Sequence, residues 1–74
     1  MRIMMLGFSP FTTEHEIKVA LSQFGSISDI QIFRDHRCYA TFEIQDRAAG
    51  LAAIRQLQGC TMNTKGWLSL HEIL

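Results

Sequence analysis

The chain has 74 residues, of which 47% are hydrophobic and 19% are charged, and seven basic side chains balance seven acidic ones. This composition predicts one small folded domain over residues 1–74 and excludes a disordered tail or linker. The net charge of zero excludes a broad electrostatic attraction to nucleic acid, so nucleic acid binding would require a local surface.

The apolar run 2–8 ends at a Ser-Pro pair and predicts a first strand. Thr13 and Glu16 have the spacing of a capping box, so a helix begins there, and Gly25 ends it. Residues 27–33 alternate between polar and apolar side chains and predict a second strand. The first half of the chain therefore reads as strand, helix, strand.

Residues 37–44 alternate again after a short connection, which predicts a hairpin with the second strand. Asp46 can cap a second helix that runs to about Gln58 and is closed by Gly59. Residues 66–73 predict the last strand. The order βαββαβ is that of an α+β ferredoxin-like sandwich, in which two helices cover one face of a four-stranded antiparallel sheet.

The uncovered face of this sheet is where a binding site is expected. Period-two alternation predicts which side chains lie on it. They are Met4, Leu6, Phe33, Tyr39, Thr41 and Trp67, with Arg37 and His71 nearby. An exposed set this apolar is unusual in so small a domain and indicates a ligand or partner.

Other classes of function find little support in the chain. Cys38 and Cys60 are too few for a disulfide scaffold and lack zinc-motif spacing, which favours reduced thiols in an intracellular protein. No stretch reaches transmembrane length, so no membrane partner is expected. His15, His36 and His71 are scattered, and no catalytic or metal-binding set can be assembled around them. We therefore expect no enzyme activity, no metal and no cofactor.

Residues 37–44, RCYATFEI, resemble the longer RNP motif of the RNA recognition motif (RRM) family, K/R-G-F/Y-G/A-F-V-x-F/Y. Arg37, Tyr39 and Ala40 match this pattern, whereas Thr41 stands where the family has a second aromatic residue. The resemblance extends over essentially the whole chain. It implies the RRM fold and RNA binding on the open face of the sheet.

Residues 3–8, IMMLGF, occupy the place of the shorter RNP motif of the family. Met4 stands at its stacking aromatic position and Gly7 at its asparagine. RNP aromatics stack two or three bases in the family, and of the usual stacking positions this chain keeps Tyr39. The resemblance therefore implies a reduced stacking surface.

We predict a module that binds single-stranded RNA with weak to moderate affinity. Tyr39 would stack one base, Phe33 or Trp67 a second, and Arg37 would contact phosphate. The predicted RNA-binding residues are Met4, Phe33, Arg37, Tyr39, Thr41, Trp67 and His71, and Arg34 and Lys65 are further candidates for phosphate contact.

Two alternatives remain open at the level of sequence. The first is an RRM-like protein-interaction module that has lost most RNA binding and meets a protein partner or a second copy through Leu6 and Leu51. The neutral charge and the missing aromatics favour it. The second is a small-molecule regulatory domain on the same fold, which is disfavoured because no glycine-rich ligand loop follows the first strand.

Overall fold

A computed structural model describes residues 1–35, 37–60 and 67–73 of the chain. The elements follow in the order β1 (Arg2–Leu6), α1 (Glu14–Leu21), β2 (Ile27–Arg34), β3 (Cys38–Ile44), α2 (Arg47–Leu57) and β4 (Ser69–Ile73). The strands form one antiparallel sheet in the order β2-β3-β1-β4. The predicted ferredoxin-like fold is confirmed.

The helix boundaries follow from local capping interactions. The Thr13 side chain accepts the Glu16 N–H at 3.2 Å, and the Glu16 carboxylate accepts the Thr13 N–H at 2.9 Å, so the predicted capping box is present. Gly25, with φ of +142°, follows the short 3₁₀ turn that extends α1. Asp46 caps α2 through its carboxylate, and Gly59 lies beyond the end of that helix with φ of +81°.

The first and last strands are shorter than predicted. β1 ends at Leu6, because Gly7 has φ of +95° and a left-handed residue does not continue a strand. β4 begins at Ser69, so Trp67 precedes the strand and is not part of it. Gly66, the predicted first residue of the strand, lies outside the described residues.

The core lies between the sheet and the two helices. Alternation correctly predicted the inward side chains of β1 and β3 and also Leu68 and Leu70. In β2 the predicted Ile30 and Ile32 are only partly buried, and the register irregularity between Ser28 and Gln31 brings Ile27 into the core. The buried apolar side chains are Ile3, Met5, Phe8, Ile27, Ala40, Phe42, Ile44, Leu68 and Leu70, which meet Ile17 and Leu21 of α1 and Ala53 of α2. Within the described residues, no helix covers the opposite sheet face.

β4 is an edge strand, and a side chain hydrogen-bonds to its outer backbone groups. Gln58 Nε2 donates to the Leu70 carbonyl at 2.9 Å, and the Leu70 N–H donates to Gln58 Oε1 at 3.0 Å. The side-chain amide thus makes the two hydrogen bonds that a neighbouring strand would make with Leu70. It satisfies backbone groups that would otherwise be unpaired at the edge.

Gln58→Ala is expected to lower the free energy of unfolding by about 1–3 kcal/mol, because it leaves both Leu70 groups without this partner. Urea denaturation followed by circular dichroism measures the change. Gln56→Ala is the matched control, since its exposed amide makes no hydrogen bond to another described residue, and its effect should stay within about 0.5 kcal/mol. Equal effects of the two substitutions would contradict a stabilising role for the Gln58 amide.

Candidate nucleic-acid interface

The strand register arranges the open face in rows that cross all four strands. In the first row Phe33 pairs with Tyr39, Tyr39 with Leu6, and Leu6 with Ser69. This row lies where β1 and β2 end and where β3 and β4 begin. Three predicted binding or interface residues are therefore direct neighbours.

The second row lies at the centre of the face and the third at its far end. The second places Gln31, Thr41, Met4 and His71 side by side across the sheet. The third contains Ser28, Glu43, Arg2 and Ile73. The face thus changes along the strands from an aromatic end to a charged end.

Phe33 and Tyr39 form a stacked pair at the aromatic end. Their ring centroids are 4.7 Å apart and their planes differ by 17°, which is a favourable stacking geometry. Each ring was predicted to stack its own base. In the structure each half-buried ring covers one face of the other, so one face of each ring is already in contact with its neighbour, and the contact restricts the orientation of both rings.

Trp67 extends this aromatic end beyond the sheet. Its side chain is 74% exposed. Trp67 precedes Ser69, the member of the first row on β4, by two residues. Its backbone is fixed against β1, because a Cβ atom built on Gly7 would lie only 2.1 Å from the Trp67 carbonyl oxygen. The close approach of Gly7 therefore fixes the Trp67 backbone next to the end of β1.

Phe11 is an exposed aromatic residue that the sequence pattern did not indicate. It lies in the connection between β1 and α1 and is 88% exposed. Its N–H donates to Ser9 Oγ at 3.1 Å, and the Thr12 N–H donates to the Ser9 carbonyl at 2.9 Å, so its backbone is held in a turn. The signal that could have found it is an aromatic residue directly after proline in a loop, where no core partner is expected.

Arg34 holds this turn in place. Its guanidinium donates to the carbonyl of Pro10 and, at 2.6 Å, to the carbonyl of Thr12. Alternation along β2 puts Phe33 on the open face and Arg34 on the helix-covered side. The geometry therefore gives Arg34 a structural role and no support as a phosphate contact. Lys65, the other additional candidate, lies outside the described residues.

Arg37 is exposed in the connection between β2 and β3. An ion pair with Glu43 or Asp35 was the competing explanation for this side chain. Within the described part of the chain Arg37 forms no ion pair, and Glu43 instead pairs with Arg2 at 3.6 Å. Arg37 thus keeps its charge available near the aromatic end, and its contact with phosphate stays a prediction.

Thr41 lies on the open face but is nearly covered. It is only 9% exposed, and its Oγ1 accepts a hydrogen bond from Arg2 Nη2 at 3.1 Å. Arg2 was not among the predicted site residues, although the alternation that exposes Met4 and Leu6 also places position 2 on the same face. Thr41 therefore offers no free surface for a base, and Arg2 occupies the space above it.

The sequence profile of the RNA recognition motif family matches residues 3–67. This chain belongs to the RNA recognition motif family. The resemblance of its two RNP-like segments is thereby confirmed, and the open face of this RRM corresponds to the sheet on which those motifs lie. A comparison with curated proteins found no significant match.

Solved structures show the same fold. The RRM of Rna15 superposes with a TM-score of 0.84 and 21% identity, over 97% of this chain and 87% of that one. The first two RRM domains of yeast poly(U)-binding protein Pub1 give a TM-score of 0.87 at 18% identity, over 100% of this chain and 46% of that one. An Sxl-lethal protein–RNA complex gives 0.85 at 20% identity, over 99% and 46%. At these identities the likeness supports the fold alone.

The remaining predicted residues, His71, Leu6 and Leu51, lie in different parts of this RRM. His71 is exposed in the central row, and its Nε2 lies 2.7 Å from Ser69 Oγ. Leu6 is on the open face, whereas Leu51 is 40% exposed on α2, in the helical layer. The structure therefore does not bring Leu6 and Leu51 into one interface.

A second arginine–carboxylate pair lies on the helical side of this RRM. Arg47 donates to both carboxylate oxygens of Glu72, at 2.6 and 3.1 Å. This hydrogen bonding, together with the charge attraction, raises the pKa of Arg47 and lowers the pKa of Glu72. Both groups stay charged near neutral pH, and Arg47 is held away from the open face.

The described residues contain no group of three or more histidine, cysteine or acidic side chains that could hold a metal ion. Within the same residues no helix is long and apolar enough to cross a membrane.

Proposed function

We propose that this RRM binds single-stranded RNA on the open face of its sheet and catalyses no reaction. The stacked pair of Phe33 and Tyr39 carries the proposal, because it places two aromatic rings near Arg37, which has no ion pair with any described residue. Two similar folds support it, since the Rna15 RRM has been solved with bound RNA (GU) and the Sxl-lethal protein in an RNA complex.

Each side chain has a distinct role in this proposal. Tyr39 and Phe33 stack bases, exposed Trp67 continues the stacking surface toward the loop end, and Arg37 contacts phosphate. Met4 and His71 line the central row, where a base can pack against the thioether or hydrogen-bond to the imidazole. In this proposal the RNA strand therefore follows the aromatic row and then turns along the sheet.

The expected affinity is weak to moderate. Each base–aromatic stack contributes about 1–3 kcal/mol, and the centre of the face holds Met4 and Thr41 where the family has aromatic rings. A neutral domain also adds little long-range attraction to the phosphates. Binding should consequently depend mainly on the few stacking contacts at the aromatic end.

NMR titration of the ¹⁵N-labelled chain with a mixed-sequence pool of short RNAs tests the proposal. At low salt, amide signals of the aromatic row and of Arg37 are expected to shift progressively, while the exposed side of α1 and α2 stays unchanged. The result that would overturn RNA binding is the absence of any shift on the sheet strands at low salt.

A protein-interaction module is the second candidate. Its specific support is the exposure of Phe11 at 88% and Trp67 at 74%, since large exposed apolar surfaces favour protein contacts. Concentration-dependent sedimentation of the RNA-free chain would favour self-association. A monomer at all concentrations, combined with RNA-induced shifts on the sheet, would favour RNA binding.

A further inference from the structure

Arg2 extends across the open face from β1 toward β2. Its Nη2 donates to Thr41 Oγ1 on β3 at 3.1 Å, and its Nη1 lies 2.9 Å from Asp29 Oδ2 on β2. β3 lies between β1 and β2 in the sheet, and neighbouring strands are about 4.8 Å apart. The side chain must therefore lie extended over β3 to reach both partners.

This arrangement fixes the plane of the guanidinium group. Its N–H donors all lie in one plane, so the partners that bind them, including Glu43 at 3.6 Å, occupy its rim. The guanidinium is thus held at its rim, and its two faces take no part in these contacts. The Arg2 side chain is 31% exposed, which is consistent with one accessible face.

The Arg2 guanidinium lies next to the position where the RNP motif has an aromatic residue. Thr41 stands where the RNP motif has its second aromatic residue, and the guanidinium donates a hydrogen bond to its hydroxyl. Bases stack on guanidinium planes as well as on aromatic rings in RNA recognition. A planar surface is therefore present at the place where the sequence lacks an aromatic residue.

We propose that Arg2 supplies a base-stacking surface in place of the missing aromatic residue at position 41. This inference rests on the proposed RNA binding and adds a further base site at the centre of the face, beside Met4 and two residues along β3 from Tyr39. The base stacks on the outer face of the guanidinium, while Thr41 and Asp29 hold its rim.

The charge environment separates this role from simple phosphate attraction. Arg2 pairs with Asp29 at 2.9 Å and lies 3.6 Å from Glu43, whose carboxylate also pairs with the N-terminal ammonium at 3.0 Å, so the carboxylates here offset the positive charges. A phosphate at this place would meet those carboxylates as well as the arginine. The planar face of Arg2, more than its charge, is thus the feature available to RNA, and the salt dependence of binding should owe little to this residue.

Fluorescence anisotropy with a labelled pool of random RNA octanucleotides tests the proposal. Arg2→Ala is expected to weaken binding by about 5- to 150-fold, the range of one lost stack. Arg2→Lys should weaken it similarly, since lysine keeps the charge but has no plane. Both variants should leave the slope of affinity against salt concentration nearly unchanged. Arg47→Ala removes a paired arginine from the helical side and should bind like the parent chain.

A rescue variant keeps the test decisive if Arg2→Ala also perturbs folding. In the double variant Arg2→Ala, Thr41→Phe, an aromatic ring replaces the guanidinium surface, and most of the lost affinity should return. Circular dichroism melting of every variant separates lost binding from lost fold.

Three outcomes decide the proposal. Unchanged affinity in Arg2→Ala, or parent-like affinity in Arg2→Lys, would overturn the stacking role while leaving RNA binding intact. A parent chain that binds no RNA would instead overturn the proposed function and this inference with it. Loss in both single variants with recovery in the double variant would establish Arg2 as the stacking surface.

Discussion

Gly7→Ala is expected to lower the free energy of unfolding by about 2–5 kcal/mol. Alanine at φ of +95° is disfavoured by about 1–2 kcal/mol. The new Cβ atom would also lie 2.1 Å from the Trp67 carbonyl oxygen and 2.8 Å from its carbonyl carbon, so the end of β1 and the start of β4 must separate. A domain of this size has a total stability of only about 5 kcal/mol, so we expect a lower melting temperature and partial unfolding.

Gly59→Ala is the matched control for this experiment. Gly59 also has a positive φ, +81°, but a Cβ atom there would meet no atom of the described residues within 4 Å, apart from its chain neighbours. Its substitution should therefore cost only the conformational term, about 1–2 kcal/mol. Urea denaturation measures the loss in free energy of unfolding for both variants. The loss in Gly7→Ala minus the loss in Gly59→Ala gives the steric contribution at Gly7. Equal losses would show that the approach to Trp67 is unimportant for stability.

The elements that sequence predicted correctly depend on interactions between near neighbours. Thr13 and Glu16 are three residues apart, and Asp46 caps the helix that directly follows it, so the signals are contained in short segments. Strand faces are also local where alternation is unbroken, as in β1 and β3, whereas the bulge near Asp29 in β2 was not predicted. The order of elements then indicated the ferredoxin-like arrangement of the sheet.

The features that sequence did not predict depend on contacts between distant segments. The contact of Arg2 with Asp29 joins positions 27 residues apart, and neither residue belongs to a recognisable motif. Gly7 was identified only as a departure from the RNP pattern, since its contact with the Trp67 backbone requires the folded sheet. Arg34 looked like a free surface charge because its carbonyl partners in the preceding loop carry no sequence signature. Such pairings follow from the register and the loop conformations.

The sequence indicated individual residues of the candidate site, but it did not indicate which of them are neighbours. Phe33 and Tyr39 were treated as separate stacking positions, and the register makes them one stacked pair. Leu6 and Leu51 were grouped as one interface, and the fold separates them between the sheet and the helical layer. Alternation gives the face on which a side chain lies, whereas its neighbours on that face depend on strand order and register.

Tyr39→Ala is expected to weaken RNA binding by about 1–3 kcal/mol, or roughly 5- to 150-fold in Kd. The substitution removes one ring of the stacked pair, and it frees Phe33 from the contact that restricts its orientation. The fold should persist, because Tyr39 is half-buried on the open face and outside the buried core. Anisotropy titration gives the affinity, and circular dichroism melting gives the stability.

Two comparisons make the Tyr39 result specific. Tyr39→Phe keeps the ring and should retain affinity within about twofold, since stacking needs only the aromatic face. Val19→Ala removes a 58% exposed apolar side chain from α1, in the opposite layer, and should not change RNA binding. Unchanged affinity in Tyr39→Ala would remove Tyr39 from the RNA site. In that case the exposed apolar surface near Trp67 would be better explained by a protein partner. A loss in Tyr39→Ala that Tyr39→Phe avoids would instead show that RNA contacts the stacked pair directly.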